Sequence, residues 1–295
     1  MIILFFYDLI FALVFILFKR KMKKVDQERF NYIEYIAWWE GQINASHLMR
    51  HFQLTRDSAS TILKKYDNKY PHHFDYDQSI KARVITEDFQ PSEAIKNFSR
   101  YLNIIKNSQC EVVSGCIEEV EAPFRNIQAQ SVRPILKAIR ENLAVDIGYI
   151  SLTSPDYLDR IIEPHALIFD GLRWHVRAYC RKNAAFRDFV LSRFDGNADF
   201  EGAAEHNAIQ DNLWQTYVDV EITPDPRLTQ KQQSIIATDF QMDNNKKTLK
   251  TRAPLVNYLL LRLRIDAFKN TPEEQQIVLT PECRKLISPY LPKRT

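Results

Sequence analysis

The chain has 295 residues, of which 45% are hydrophobic and 26% are charged, and it contains only 6 glycines. This composition excludes collagen-like, mucin-like and broadly disordered chains, and the length is typical of two or three folded domains. The 40 Lys and Arg residues against 37 Asp and Glu residues give a net charge of +3. A nucleic-acid partner must therefore be met by a local basic patch and not by a global excess of positive charge.

Residues 1–18 are apolar, with Asp8 as their only charge, and a basic cluster follows over residues 19–24. The run is near the lower length limit of a membrane-spanning helix, and its basic flank would stay cytoplasmic. Two interpretations remain open: a membrane anchor, or a start assigned upstream of a true start at Met22. We favour the second, so residues 1–21 are an apolar leader outside the fold, and we expect a cytoplasmic protein without a membrane partner.

The cysteine spacing and the absence of catalytic motifs argue against an enzyme. The four cysteines form no C-x-x-C pair and have no histidine at zinc-finger spacing, which fits scattered thiols in a reducing compartment. The chain lacks H-E-x-x-H, G-x-S-x-G, G-x-x-x-x-G-K-[ST] and G-x-G-x-x-G. We therefore expect no metal site, no cofactor and no catalytic residue, and a nucleic-acid-processing enzyme is only a minor alternative.

The first half of the chain has the element order of a winged helix-turn-helix. Three helices are predicted from N-cap residues and apolar repeats at helical spacing: Asp26 to about Glu40, Ala45–Phe52 capped by Asn44, and Arg56 to about Lys69 capped by Thr55. A β-hairpin around Asp77 then follows Pro71. In this motif the second helix of the pair enters the major groove of DNA, so residues 22–90 are predicted to bind DNA.

The third helix has a polar face opposite its apolar stripe. That face includes Arg56, Asp57, Ser60, Thr61, Lys64 and Lys65. Lys81 and Arg83 on the hairpin are placed to contact flanking phosphates, which fix the register of a protein on DNA. A simply solvated helix face is the alternative, and these residues alone leave it open.

The middle of the chain is predicted to change from helices to short strands. Ser92 is expected to cap a helix within a connector, residues 91–130, and Ser131 a second helix that ends near Asn142. Four β-rich runs follow: Val145–Leu152, Arg160–Phe169, Arg173–Cys180 and Phe186–Phe194. A helix followed by closely spaced antiparallel strands indicates a small, strongly bent sheet or barrel.

The strand Arg173–Cys180 divides into two faces by its period of two. The face predicted to lie in the core holds Trp174, Val176, Ala178 and Cys180. The other is cationic and aromatic, with Arg173, His175, Arg177 and Tyr179. If neighbouring strands add Tyr149, Ser151, His165 and Arg193, this surface suits a phosphate or a nucleobase. A solvated sheet face is again the alternative.

Residues 131–195 resemble the WYL domain of bacterial transcriptional regulators. The resemblance rests on the helix with Pro134, the segment Arg160–His165, the tryptophan strand Trp174–Cys180 and the segment Phe189–Phe194. Trp174, His175 and Val176 stand where the family has the Trp-Tyr-Leu tripeptide that gives it its name. In combination these pieces are specific, although each one alone is weak.

The domain order extends the resemblance to the whole chain after the leader. Residues 215–295 are predicted to alternate strands and helices in a βαβαβ-like order, as a small α/β sandwich. The implied fold is α+β and multidomain, with an N-terminal winged helix-turn-helix, a central Sm-like (SH3-like) β-barrel and a C-terminal α/β sandwich. The predicted domains are 22–90 for DNA binding, 91–130 as connector, 131–200 as ligand-sensing WYL domain and 210–295 as dimerisation domain.

The chain is similar to the WYL regulators encoded beside phage-defence systems such as BREX and CBASS. The resemblance implies a homodimeric repressor on an inverted-repeat, double-stranded DNA operator, relieved by a nucleotide or a single-stranded nucleic acid. The implied DNA-binding residues are Arg56, Ser58, Ser60, Thr61, Lys64, Lys65, Lys81 and Arg83. The implied ligand-binding residues are Tyr149, Ser151, His165, His175, Arg177, Tyr179 and Arg193. The alternative is a regulator of the same kind that is tethered to the membrane.

Overall fold

The computed structural model describes residues 24–92, 95–107, 117–118, 120, 123, 125–152 and 158–292. The apolar leader and most of residues 110–124, the first part of the segment 110–130 that is predicted to be irregular or extended, lie outside the described residues. Contacts divide the chain into two compact units, residues 1–120 and 121–295. Within the described part of the chain, no helix has the length and apolarity needed to cross a membrane.

The first unit is a winged helix-turn-helix. Its elements are helix α1 (residues 24–40), strand β1 (Gln42–Ile43), helices α2 (Ala45–Phe52) and α3 (Arg56–Lys69), and strands β2 (Phe74–Asp77) and β3 (Ala82–Ile85). The strands form an antiparallel sheet in the order β1-β3-β2. We call the β2–β3 hairpin the wing. Strand β1 was not predicted, since two residues are too few to show an alternating pattern.

Local sequence signals set the ends of these helices. Gly41 ends α1 with a φ of +74°, which glycine adopts without strain, and its amide donates to the Ala37 carbonyl. Two of the predicted N-caps are confirmed, because Asn44 accepts from the Ser46 amide and Thr55 from the Ser58 amide. The prediction that Asp26 caps α1 is wrong, because residues 24 and 25 are already helical and Asp26 lies inside the helix. The predicted apolar stripe of α3 is also confirmed: Ala59, Ile62, Leu63 and Tyr66 are buried.

Helix α4 (Phe98–Asn107) is the last helix described in the first unit. The prediction that Ser92 caps this helix is wrong, because the helix begins six residues later and the Asn97 side chain accepts from the Arg100 amide at 3.0 Å. Tyr101 and Ile105 of α4 are buried in the same core as α1. The Trp39 indole N–H donates to the Ile95 carbonyl at 3.0 Å and ties the segment before α4 to the core.

The second unit begins with helix α5 (Ala129–Glu141) and a five-stranded antiparallel sheet. The strands are β4 (Leu143–Tyr149), β5 (Leu158–Phe169), β6 (Trp174–Cys180), β7 (Ala185–Val190) and β8 (Phe194–Ala203). Their order in the sheet is β7-β6-β5-β4-β8. Among the described strands β7 and β8 are the two edges, so closure into a barrel stays a prediction. Strand β8 was not predicted, because its residues include Gly, Asn and Asp, which are typical of turns.

Ser131 does not cap α5, which corrects the sequence-based prediction. The helix begins at Ala129, and Ser131 is buried inside it, where its hydroxyl donates to the Phe194 carbonyl at 3.4 Å. A tertiary partner on β8 therefore takes the hydroxyl that the sequence pattern assigned to the cap. The predicted end is confirmed, since Asn142 terminates α5 in the left-handed conformation with a φ of 54°.

The chain after β8 contains three strands separated by helices, which confirms the predicted βαβαβ-like order. The elements are α6 (Asn212–Gln215), β9 (Tyr217–Pro224), α7 (Gln230–Asp239), β10 (Lys247–Arg252), α8 (Val256–Arg262), α9 (Pro272–Gln275), β11 (Ile277–Leu279) and α10 (Pro281–Ile287). The sheet is antiparallel in the order β10-β9-β11. Val220, Ile222, Leu260 and Ile287 are buried in its core. Helices α6, α9 and α10 were not predicted.

Candidate functional site

The exposed side of α3 carries the residues predicted to contact DNA. Ser60 is half-buried, and the exposed members are Arg56, Ser58, Thr61, Lys64 and Lys65. Because the opposite side of α3 is fixed in the core, this polar side is the one that faces out of the first unit. Its cations and hydroxyl groups are side chains that donate to base edges and phosphates.

The polar groups of α3 differ in how much of their bonding capacity is used within the chain. The Thr61 hydroxyl donates to the Asp57 carbonyl at 2.8 Å, and the Ser58 hydroxyl accepts from the Thr55 hydroxyl at 2.9 Å. Lys65 lies 3.7 Å from Asp26 of α1, a solvent-exposed pair that contributes little to stability. Lys64 takes part in none of the ion pairs found among the described residues.

Arg83 of the wing points toward α3. Its Nε donates to both carboxylate oxygens of Asp67 at 3.0 and 2.9 Å, and its Nη2 donates at 2.7 Å. The side chain is only 17% exposed. Arg83 therefore fixes the wing against α3, and its contact with a phosphate stays a prediction. Lys81 is exposed in the wing turn, next to the exposed Ile80, which sequence reasoning missed.

In the second unit, the predicted ligand-binding face of β6 is covered. His175, Arg177 and Tyr179 share one face, as expected, but His175 and Arg177 are only 5% and 4% exposed. The cover comes from α8 and from residues 204–216, which connect β8 with β9 and which we call the strap. The prediction that Trp174 lies in the core is wrong, because Trp174 is 42% exposed and packs on Phe169.

Arg177 is the centre of a buried ionic cluster. Its Nε and Nη2 donate to the two carboxylate oxygens of Asp211 in the strap, at 2.7 and 3.1 Å. Its Nη1 donates to Asp188 of β7 at 3.0 Å. Burial tends to lower the pKa of Arg177, but the two carboxylates outweigh burial and raise the pKa. The guanidinium group is therefore charged and bound on both sides.

The Asp211 carboxylate collects donors from three directions. Burial tends to raise its pKa, but Arg177, the Trp214 amide and His165 together lower the pKa and keep Asp211 ionised. His165 Nε2 lies 3.2 Å from Asp211. Burial lowers the pKa of His165 more than Asp211 raises it, so the neutral ring places its proton on Nε2. The other ring nitrogen, Nδ1, is buried without a hydrogen-bond partner in the described structure.

Two further contacts extend the ionic cluster across β6. His175 Nε2 lies 2.8 Å from Asp170, which also accepts from the amides of Leu172 and Arg173. Burial works against ionisation of Asp170, but these donors lower its pKa to about 2. The Tyr258 hydroxyl of α8 donates to Asp188 at 2.9 Å. The cluster therefore joins the five-stranded sheet to the C-terminal part of the second unit.

A second contact between the strap and the sheet lies at the other end of β6. The His206 ring stacks on the Tyr179 ring with a centroid distance of 3.6 Å and an interplanar angle of 11°. Glu163, fully buried on β5, accepts from the His206 amide at 2.6 Å and from Arg181 at 2.7 Å. Burial tends to raise the pKa of Glu163, but these donors lower it, so the carboxylate is ionised.

The predicted ligand-binding residues do not form one surface. The ionic cluster holds His165, His175 and Arg177, and Tyr179 belongs to the second strap contact. Tyr149 lies in the sheet core, where its hydroxyl accepts from the Val190 amide at 3.2 Å. Ser151 and Arg193 are half-buried beyond β4 and before β8.

Sequence reasoning missed the acidic partners of Arg177. Asp188 stands directly opposite Arg177 in the β6–β7 register, so counting residues across that hairpin would have found it. Asp211 lies in a strap without periodicity, and no local signal points from it to β6.

The ionic cluster has a route to solvent. A groove of about 740 Å³ reaches it, with Asp188, Leu213, Tyr258 and Tyr290 in its walls. Within the described ranges, no three His, Cys, Asp or Glu side chains are grouped so that they hold a metal ion. The contacts observed at the site are buried ion pairs and stacked rings.

Three family models match successive parts of the chain. Residues 26–107 match the BrxR transcriptional regulator winged helix-turn-helix domain, residues 130–197 the WYL domain, and residues 217–287 the BrxR transcriptional regulator C-terminal dimerization domain. These matches cover both units and follow the order of the elements along the chain.

Full-length relatives agree with these matches. The chain is 35% identical over 267 residues to the DNA-binding transcriptional repressor CapW of Pseudomonas aeruginosa, covering 86% of this chain and 88% of that protein. It is 30% identical over 274 residues to the protein of the same name from Stenotrophomonas maltophilia, covering 88% and 90%. A solved structure of the proteasome accessory factor PafBC of Arthrobacter aurescens covers 83% of this chain and 44% of its own, at 15% identity and a TM-score of 0.27, too low to support an argument.

Proposed function

The chain belongs to the family of DNA-binding transcriptional repressors named CapW, and from this membership we propose that it is a homodimeric, sequence-specific repressor. The observation that carries the proposal is the polar side of α3, exposed from Arg56 to Lys65 on a winged helix-turn-helix. Residues 217–287, which match a dimerization domain, supply the two-fold symmetry. A two-fold protein reads two half-sites, so the operator is an inverted repeat in double-stranded DNA.

In this proposal α3 lies in the major groove and the wing follows the flanking backbone. The helix residues that face the DNA are Arg56, Ser58, Ser60, Thr61, Lys64 and Lys65. On the wing, Lys81 contacts a phosphate. Arg83 holds the wing to α3 through Asp67, and in this proposal the remaining edge of its guanidinium faces the DNA backbone. Phosphate contacts of this kind make the affinity fall steeply as salt rises.

A gel-shift titration on the DNA upstream of the chain's own operon tests this assignment. We expect the Lys64→Ala/Lys65→Ala double variant to bind this DNA at least about tenfold more weakly at moderate salt, because two phosphate contacts are lost. Each lost contact also lowers the slope of log affinity against log salt concentration by about 1. The matched control is Lys182→Ala/Lys231→Ala, which removes two exposed cations from the second unit. Unaltered affinity of the first double variant would refute the role of α3.

We further propose that an effector relieves repression by binding the WYL domain, and that the effector is a nucleotide or a single-stranded nucleic acid. Of the residues predicted to bind it, we propose that His165, His175, Arg177 and Tyr179 contact the effector, whereas Tyr149, Ser151 and Arg193 lie elsewhere on the sheet and support the site from there. Support comes from the Arg177 fork, which suits a phosphate, and from the half-buried Tyr179 ring, which suits a base. Relief requires that the effector binds the DNA-incompetent conformation more tightly.

The proposal also covers the domain limits, the cellular location of the protein and the genes that it regulates. We propose domain limits of 22–90, 91–130, 131–200 and 210–295, in which helix α4 of the connector packs on the core of the first domain. The WYL sheet closes as an Sm-like barrel, and the last domain is an α/β sandwich. The regulated genes are those of a phage-defence operon, as fits the CapW family. The protein acts where the DNA is, in the cytoplasm, as a regulator without catalytic activity.

A further inference from the structure

The strap is anchored at both ends and exposed in its middle. At its start the Ala204 amide donates to the Asn142 carbonyl at 2.9 Å, and at its end the Thr216 carbonyl accepts from the Ala253 amide at 2.9 Å. Between these points, Ile209 and Leu213 are exposed. The side chains that contact the five-stranded sheet are His206, Asp211 and Trp214.

Two of these contacts have the chemistry of a bound nucleotide. The His206 ring lies flat on the Tyr179 ring, as a base does on an aromatic side chain. The Asp211 carboxylate accepts two parallel bonds from the Arg177 fork, as a phosphate does. We propose that the strap is an internal ligand of the WYL domain, and that an effector carrying a base and a phosphate binds by displacing it. This inference rests on the proposed effector function.

The buried charges on the sheet keep a partner when the strap leaves. Arg177 retains Asp188 through Nη1, and Glu163 retains Arg181. Removing every partner of a buried charge is strongly destabilising, so these second partners make release of the strap feasible. The vacated donors are Arg177 Nε, Arg177 Nη2 and His165 Nε2, and together they form a site for one phosphate group.

Displacement of the strap is transmitted to the region that matches the dimerization domain. The strap leads directly into β9, which is the central strand of the β10-β9-β11 sheet. Arg252 of β10 lies over the ring of Trp214 in the strap at 4.7 Å and over the ring of Tyr217 at 4.6 Å. It also donates to the Trp214 carbonyl. Effector binding and the arrangement of this sheet are therefore coupled through one continuous segment.

Fluorescence anisotropy with a fluorescein-labelled, 5′-phosphorylated single-stranded oligodeoxynucleotide tests the inference on the full chain. Asp211→Asn weakens the hold of the strap on Arg177, so we expect it to bind the oligonucleotide at least about tenfold more tightly than the natural chain does, since a larger fraction is open. The matched control is Glu205→Gln, an exposed residue of the strap, which removes the same charge and leaves the affinity unchanged. Arg177→Lys, which lacks the guanidinium fork, weakens oligonucleotide binding both in the natural chain and in the Asp211→Asn variant.

The outcomes separate the strap from the effector site itself. If Arg177→Lys weakens binding while Asp211→Asn leaves the affinity unchanged, the effector site stands and the internal-ligand inference is overturned. If none of these proteins binds the oligonucleotide while all bind operator DNA, the proposed effector function fails and the inference fails with it.

Hydrogen exchange on the natural chain gives a readout that does not depend on the folding of a variant. We expect the oligonucleotide to accelerate exchange of the amides in residues 204–216, because the strap is released from the sheet. Exchange that is unchanged or slower in the strap while the oligonucleotide is bound would overturn the inference.

Discussion

Single residues determine how the DNA-contacting surface is held in place. The Arg83–Asp67 pair has three donor–acceptor distances between 2.7 and 3.0 Å and links the wing to α3. A bidentate pair of this kind fixes geometry more than it adds stability, since both side chains keep some exposure to water. The sequence placed Arg83 on the wing correctly, but its partner lies on another element, and a charge pattern along one chain does not reveal such a pairing.

Removing the Arg83 fork tests this role. We expect Arg83→Ala to destabilise the first unit by about 1 kcal/mol and to weaken operator binding, because the wing is no longer fixed against α3. Arg83→Lys keeps the positive charge but lacks the guanidinium fork, so its affinity for the operator should lie between those of the natural chain and of Arg83→Ala. Thermal unfolding and gel-shift titration measure the two effects. Operator affinity and stability equal to those of the natural chain would show that the pair does not position the wing.

At the scale of elements, the signals that sequence reasoning used were reliable where the interaction is local. The caps Asn44 and Thr55 act within three residues, so their helices were predicted with the observed limits. The period-two division of β6 likewise put His175, Arg177 and Tyr179 on one face. Burial of that face was not predictable, because the cover is the strap, whose contacts with β6 are distant in sequence. The Ser131 cap failed because its hydroxyl donates to a tertiary partner, and the Ser92 cap failed because Asn97, closer to the helix, accepts from the amide of Arg100.

The packing of the strap on β5 predicts a pH dependence. Burial lowers the pKa of His165, so the unfolded chain takes up the proton first as the pH falls. The stability that neutral His165 contributes is full above about pH 6.5 and is lost as the pH falls from there through the pKa of the folded state. Three charged groups influence this ring: Asp211, Arg177 and, more weakly, Asp188. Asp211 and Arg177 remain ionised in that range.

Hydrogen exchange in β5 and β6, corrected for the intrinsic pH effect, measures this dependence. We expect protection in the natural chain to fall between pH 7 and pH 5, and a smaller fall in His165→Gln, which does not titrate. His51 and His73 also have pKa values lowered by burial, but both belong to the first unit and do not report in these strands. If the natural chain and His165→Gln lose the same protection, the pH dependence does not come from His165.

At the scale of the whole molecule, the near-neutral net charge of +3 conceals a local basic surface. The lysines and arginine on the exposed side of α3 are balanced by acidic residues elsewhere, several of which are buried partners of arginine in the second unit. Global charge is therefore a poor guide to DNA binding in this chain. The order of domains was predictable, because each has local motifs of its own. The way in which the strap closes over the WYL sheet was not predictable.

The most direct test of the central claim is a footprint of the purified full-length chain on the DNA upstream of its own operon. A homodimer that places one α3 in each of two half-sites should protect an inverted repeat whose half-site centres are one helical turn apart, about 10–10.5 base pairs, or a multiple of that spacing. Protection should disappear with Lys64→Ala/Lys65→Ala. A single asymmetric half-site, or no sequence-specific protection at low salt, would contradict a homodimeric repressor that reads DNA through α3.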